Sequence, residues 1–119
     1  MNTSLIITTY NRPEALELVL LSALKQTVMP DQIIIADDGS EEKTAELIQK
    51  FIDLNKIPII HSWQEDRGFR LSRSRNLAVS KSRDEYLIFI DGDMLLHKIS
   101  SKIILNMQKK ALLFRVIGL

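Results

Sequence analysis

Two carboxylates separated by one glycine, Asp91 and Asp93, follow the apolar run Tyr86–Ile90. Acidic side chains this close repel each other unless a cation lies between them. Their oxygens suit Mg²⁺ or Mn²⁺, metals that commonly also hold substrate phosphates. The alternative is a plain turn, because Asp-Gly is frequent in turns. The tripeptide alone leaves both interpretations open, and the rest of the chain favours the metal.

Polar side chains follow two earlier apolar runs as well, in the segments Thr8–Asn11 and Asp37–Ser40. At one edge of a sheet they would outline a crevice, in which carboxylates accept hydrogen bonds from a nucleobase or a ribose. Tyr10 would cover the base by stacking. The alternative for Asp37 and Asp38 is capping of the helix that follows, which fits one of the pair better than both.

A basic cluster lies further along the chain and consists of Arg67, Arg70, Arg73 and Arg75. Beside a crevice, arginines hold phosphate through paired hydrogen bonds. The alternative is a solvated helix face paired with the neighbouring acidic residues. Arg70 and Arg73 fit this alternative, whereas Arg75 is predicted to point inward.

Alternating strands and helices must position these groups. The predicted strands are Ser4–Thr9, Gln32–Ala36, Lys56–Trp63 and Tyr86–Ile90, and the predicted helices run from a cap at Asn11 to Leu24, from Ser40 or Glu41 to about Leu54, and from about Arg70 to Ser82. This order predicts an α/β fold with a parallel sheet and right-handed crossovers. Pro58 predicts that the third strand lies at an edge of the sheet.

Composition limits the remaining classes. The 119 residues, 45% hydrophobic and 26% charged, suit one globular domain. A net charge of +1 gives no general attraction to nucleic acid, and the absence of cysteine excludes disulfides, zinc–thiolate sites and thiol nucleophiles. Because the sequence shows no signal peptide and no spanning segment, we expect a cytoplasmic protein.

Several short pieces occur in a characteristic order: Leu5–Pro13, Gln26-Thr27, Ala36–Ser40, Gln64–Arg70, Ser74–Asn76 and Asp91–Asp93. No piece is specific alone, but the ordered set resembles the amino-terminal half of family 2 glycosyltransferases, which have the GT-A fold. The resemblance covers residues 4 to about 97. Within the family, it is similar to the branch that includes bacterial polysaccharide polymerases and lipooligosaccharide enzymes.

The resemblance implies a role for individual residues. Five positions match nucleotide-sugar-binding residues of the family: Thr8 and Tyr10 beside the base and ribose, Asp38 on the uracil ring, Arg75 near the base or phosphates, and Asp91. Two positions match the metal ligands, Asp93 and Asp91, and Asp93 is the more direct ligand. The implied reaction is inverting, Mn²⁺- or Mg²⁺-dependent transfer of a sugar from a UDP-sugar or another nucleotide-diphosphate sugar. The implied acceptor is a hydroxyl of a glycan or a lipid-linked molecule in bacterial polysaccharide or lipooligosaccharide synthesis. The resemblance implies no nucleic-acid partner, and it is compatible with peripheral membrane association of full-length members.

The carboxyl end departs from the family pattern. No Asp or Glu follows Asp93, whereas family members carry their general base in a later segment. We therefore expect residues 1–97 to be the nucleotide-sugar-binding half, truncated after the acidic strand, and residues 98–119 to be an atypical, frameshifted tail. On this hypothesis the chain is an incomplete product with weak or no activity, unless a second chain completes the site.

Two alternatives remain. One is a non-catalytic module that binds nucleotide sugars, and the other is a regulatory α/β module such as a phosphoacceptor receiver domain. A receiver domain has an acidic pair after its first strand, where this chain has Thr8–Asn11. Metal-dependent binding of a nucleotide diphosphate would distinguish the regulatory module from a transferase.

Overall fold

A computed structural model describes residues 3–25, 29–68, 70–82, 86–91 and 114–115. Its elements are β1 Thr3–Thr9, α1 Pro13–Leu24, β2 Gln32–Asp37, α2 Glu42–Leu54, β3 Ile59–Trp63, α3 Leu71–Lys81, β4 Tyr86–Asp91 and β5 Phe114–Arg115. The predicted alternation of strands and helices is confirmed. The third strand begins at Ile59 rather than at Lys56, and the sequence did not predict β5.

The sheet has the order β3-β2-β1-β4-β5. Strands β1 to β4 pair in parallel, and β5 pairs antiparallel with β4. The chain moves outward from β1 to β3 and then crosses back to place β4 on the other side of β1. Such a reversal creates a crevice at the carboxyl ends of the central strands, where open α/β sheets bind ligands. The predicted edge position of β3 is also confirmed.

Helices cover both faces of the sheet. Successive side chains of a strand point to opposite faces. Leu5 and Ile33 therefore pack in the cluster that contains residues of α1 and α2, whereas Ile6 and Ile34 pack with Ala78 of α3. Every residue of β1 is buried, so the strand that carries the first polar segment is held from all sides.

The start of α1 differs from the prediction at one residue. Pro13 is the first helical residue, as its fixed φ favours. Asn11 does not cap the helix, because Arg12 occupies the N-cap position and makes no side-chain capping bond. Asn11 instead adopts a left-handed φ of 47°, a conformation that asparagine tolerates better than most residues. The turn that results directs Asn11 toward β2.

No helix in the described ranges has both the length and the apolar character required to cross a membrane.

Candidate functional site

The loops that follow β1 and β2 are joined by hydrogen bonds. The Asn11 backbone N–H donates to Ser40 Oγ at 2.8 Å, and the Glu41 backbone N–H donates to Asn11 Oδ1 at 2.6 Å. The Asp38 backbone N–H also donates to the Thr9 carbonyl at 3.2 Å. These bonds fix the two predicted polar segments against each other and make one rim at the carboxyl edge of the sheet.

Asp37 stabilises this rim through two hydrogen bonds. Its side chain is fully buried; Oδ1 accepts the Ser40 backbone N–H at 2.9 Å, and Oδ2 accepts His61 Nε2 of β3 at 2.7 Å. A carboxylate that bonds a backbone N–H a few residues ahead stabilises a turn. The prediction that Asp37 or Asp38 caps α2 is wrong, because Glu41 is the N-cap residue and makes no side-chain bond.

Asp38 lies at the centre of the site and is only 4% exposed. Its Oδ1 accepts Gln64 Nε2 at 2.6 Å, and its Oδ2 accepts the backbone N–H of Arg70 at 2.8 Å. The carboxylate is therefore fixed in one orientation by the segment between β3 and α3. Each oxygen keeps a second lone pair that can accept a further hydrogen bond.

A pocket of about 130 Å³ opens beside this carboxylate and is lined by Tyr10, Asp38, Asp66 and Gly68; we call it the Asp38 pocket. Tyr10 is about half exposed, and its hydroxyl donates to Asp66 Oδ2 at 2.8 Å. This hydrogen bond to a negative group raises the pKa of the Tyr10 hydroxyl above its usual value. The bond fixes the ring at the border of the pocket, as a stacking role requires.

Gly39 allows the segment after β3 to approach the rim. Its φ is +91°, and a Cβ built on it would lie 2.5 Å from the backbone N, Cα and Cβ of Asp66. Only glycine fits there, because any side chain would displace Asp66 and with it the Tyr10 hydrogen bond. Neither Asp66 nor Gln64 is predicted as a site residue from the sequence, although both lie in the Gln64–Arg70 piece that resembles the family.

The register of the sheet places the remaining residues of the crevice. Thr8 is buried near the end of β1, and its Cα lies opposite Ala36 of β2 on one side and Asp91 of β4 on the other. Asp91 therefore ends its strand at the same edge as the Asp38 pocket. Asp93 lies outside the described residues. Within the described ranges no group of three or more acidic or histidine side chains could hold a metal ion.

The arginines of the basic cluster separate into two groups. Arg75 is half-buried on α3 and lines neither pocket described here. The others line a second pocket of about 430 Å³, bordered by Trp63, Gln64, Glu65, Arg67, Arg70, Arg73 and Leu77; we call it the basic pocket.

Arg73 is exposed, as expected of a solvated helix face, but neither Arg70 nor Arg73 forms an ion pair with a described carboxylate. The ion pair that forms is between Arg67 and Glu65, at 3.0 Å and largely exposed. The guanidinium of Arg70 donates to the Glu65 backbone carbonyl at 2.7 Å rather than to a carboxylate. The segment after β3 turns so that the Arg70 side chain lies against the backbone of Glu65.

Comparison with known proteins gives the context of this geometry. The family described as Glycosyl transferase family 2 matches residues 4–111. Hyaluronan synthase of Pasteurella multocida is 35% identical over 92 residues, which are 76% of this chain and 9% of that protein. The chain therefore spans a small part of the length of this curated relative.

Solved structures show the same fold. The crystal structure of S. aureus TarS in complex with UDP is 28% identical, with a TM-score of 0.65 over 78% of this chain and 28% of that chain. The mannosyltransferase PcManGT of Pyrobaculum calidifontis, in complex with GDP-Man and Mn²⁺, is 19% identical, with a TM-score of 0.78 over 91% of this chain and 31% of that chain. The predicted GT-A architecture is confirmed by these likenesses.

Proposed function

The chain belongs to glycosyl transferase family 2, and from that premise we propose that it binds a UDP-sugar and forms the donor-binding half of a metal-dependent, inverting glycosyltransferase. The observation that supports this most directly is the fixed, buried carboxylate of Asp38 beside Tyr10. The similarity to TarS, whose structure contains UDP, supports uridine as the nucleoside.

Recognition of the base would use the free lone pairs of Asp38. A carboxylate accepts the ring N–H of uracil, while the Tyr10 ring covers the face of the base. The volume of about 130 Å³ is below the roughly 300–1,000 Å³ of a pocket for a whole ligand. The pocket would therefore hold the base, with the ribose and the diphosphate extending along the edge of the sheet.

The diphosphate would extend from β2 past Thr8 toward β4. Neighbouring strands are spaced by ~4.8 Å, so the ends of β2 and β4, on either side of β1, are about 10 Å apart. The carboxylates of Asp91 and Asp93 would hold Mn²⁺ or Mg²⁺, since oxygen donors at this edge suit both ions. When bound, such a metal offsets the charge that develops on the leaving diphosphate. We keep Arg75 as the proposed basic residue near the base or phosphates.

The acceptor would be a hydroxyl of a glycan or a lipid-linked molecule in bacterial polysaccharide or lipooligosaccharide synthesis, on the cytoplasmic side of the membrane. A carboxylate that removes the acceptor proton would have to come from elsewhere than residues 94–119, since none of these is an Asp or Glu. The second candidate function is a nucleotide-sugar-binding module without turnover. The two candidates share the binding step and differ only in transfer.

Isothermal calorimetry of UDP with and without Mn²⁺ tests the proposal. We expect saturable binding of UDP that strengthens with Mn²⁺ and exceeds binding of GDP. Asp38→Asn should weaken UDP by about tenfold, because a hydrogen bond to a charged group is lost. The matched control Asp53→Asn changes an exposed carboxylate of α2 and should leave the affinity unchanged. Equal UDP binding by wild type and Asp38→Asn would contradict the base site, and an Asp93→Ala variant with full Mn²⁺ enhancement would contradict the metal assignment.

A further inference from the structure

We propose that the basic pocket is a second binding site, which takes an anionic sugar such as a sugar phosphate or a hexuronate. Among the residues that the structure describes, it shares no lining residue with the Asp38 pocket. The segment after β3 forms the wall between them, since Glu65 and Arg67 line the basic pocket whereas Asp66 and Gly68 line the other. A ligand of the basic pocket would therefore contact other residues than a nucleotide does, although Gln64 and the Arg70 backbone also hold Asp38.

The charge of the basic pocket favours an anion. Glu65 is its acidic lining residue, and this carboxylate is already paired with Arg67. Arg73 is exposed and makes no hydrogen bond or ion pair with any described residue. The planar guanidinium groups of Arg70 and Arg73 match the geometry of a carboxylate or phosphate better than a lysine would.

Two buried polar atoms of the wall lack partners among the described residues, namely Arg70 Nε and Gln64 Oε1. Gln64 is 6% exposed, and its amide nitrogen donates to Asp38 and to the Arg70 carbonyl, which fixes where its oxygen lies. Buried groups without partners cost free energy and call for a bound group or water. Arg70 Nε requires an acceptor and Gln64 Oε1 requires a donor, and a molecule with an anionic group and hydroxyls supplies both kinds of group.

The opposite side of the basic pocket is apolar. Trp63 is 48% exposed, and its indole N–H donates to the Ser40 carbonyl at 3.1 Å, so the ring is held in place. Together with Leu77 it offers an apolar surface to the carbon face of a sugar ring. The volume of about 430 Å³ falls in the range of roughly 300–1,000 Å³ that is typical of small-molecule sites. Charge, unpaired polar atoms and an aromatic face together point to an anionic sugar.

Tryptophan fluorescence of the full chain tests this inference, because Trp63 is the single tryptophan of the sequence. The probes are glucuronate, glucose 1-phosphate, inorganic phosphate and neutral glucose. We expect a saturable change with glucuronate or glucose 1-phosphate, and affinity at least about tenfold lower for glucose, which lacks the charge-assisted bonds. The tighter of the two anionic sugars identifies the source of the anion, and weaker binding of inorganic phosphate shows the contribution of the sugar ring.

Charge variants on α3 provide the matched control. Arg73→Gln should weaken the anionic sugar by about tenfold, whereas Lys81→Gln removes a positive charge from the exposed last turn of the same helix and should have no effect. Tyr10→Ala, which changes a residue that lines the Asp38 pocket and not the basic pocket, should weaken UDP but not the anionic sugar, so failure of either site is recognised separately. Equal effects of the two α3 variants, competition by UDP, equal binding of glucose, or absence of binding in both fluorescence and calorimetry would each overturn the proposal.

Discussion

At the scale of single residues, the site depends on acidic side chains that have different tasks. Both carboxylate oxygens of Asp37 accept hydrogen bonds within the protein, from the Ser40 backbone and from His61. Asp38 accepts hydrogen bonds from Gln64 and from the Arg70 backbone, and each of its oxygens keeps a lone pair for a ligand. The sequence shows the two as neighbours of one type. The difference arises because adjacent residues at a strand end point to opposite sides, and one of them meets β3.

The hydrogen bond between Tyr10 and Asp66 should be visible in the titration of Tyr10. We expect an apparent pKa above the usual ~10 of tyrosine in the folded protein, and a lower value in Asp66→Asn, because the negative acceptor raises the pKa. Absorbance at 295 nm measures it, with Tyr86→Phe as the background so that Tyr10 is the remaining tyrosine. Since the folded pKa is raised, the stabilisation from this bond is present below the unfolded pKa and is lost as pH rises through the folded value. An unchanged titration in Asp66→Asn would contradict the assignment.

Two glycines of the described ranges, Gly39 and Gly68, have a positive φ and form a matched pair. Gly39 at +91° has Asp66 against the position of a Cβ, whereas Gly68 at +83° has nothing within 4 Å. Gly68→Ala should cost ~1 kcal/mol of unfolding free energy for the left-handed conformation. Gly39→Ala should cost a further ~1–3 kcal/mol, because the backbone of Asp66 must move. Urea denaturation compares them, and equal costs would show that the close approach does not matter.

At the scale of elements, the sequence predicts the strands and helices well and the site less well. Buried strands such as Gln32–Asp37 can be predicted from the sequence because both faces of a central parallel strand are apolar. The conformation of the segment after β3 cannot be predicted from the sequence, because it depends on the close approach of Gly39 and on hydrogen bonds between residues distant in sequence. For that reason Arg75 is predicted as a site residue from the sequence whereas Gln64 and Asp66 are not, and the roles of Asp91 and Asp93 stay predictions.

The junction of β2 and β3 offers an element-level test. Asp37→Ala removes the acceptor of both His61 and the Ser40 N–H, and we expect a loss of ~2–4 kcal/mol, since hydrogen bonds to a buried charge are broken. The comparison variant is Asp53→Ala on the exposed face of α2, which should change stability by less than ~0.5 kcal/mol. Chemical denaturation measures both. Similar values for the two variants would mean that Asp37 does not join the strands.

At the scale of the whole molecule, the described sheet presents two pockets on either side of one short segment. One is small and holds a fixed carboxylate; the other is larger and bordered by arginines. A transferase must bind a donor and an acceptor, and the family relationship together with this division supports a donor-binding unit with a neighbouring site for a second sugar.

Turnover by the 119-residue chain should be slight even where donor binding is strong. Loss of a general base typically costs ~10²–10⁴-fold in rate, and no Asp or Glu follows Asp93. A coupled assay of UDP release from a panel of UDP-sugars, with glycan acceptors and Mn²⁺, measures this. A longer family member serves as the positive control. Robust transfer by the purified short chain would refute the expectation and would point to a base within it.

The central position of β1 also has a consequence for folding during synthesis on the ribosome. Ser4 pairs with Gln32 on one side and with Leu87 on the other, so one flank of β1 can form early in translation, whereas the other must await the synthesis of β4. Alternate amides of a central parallel strand bond to opposite neighbours, and contacts distant in sequence form slowly. During refolding, pulse-labelling with deuterium should therefore protect every second amide of β1 before the rest. Within the sheet formed by β1 to β4, the crevice between β1 and β4 would be the last part to fold.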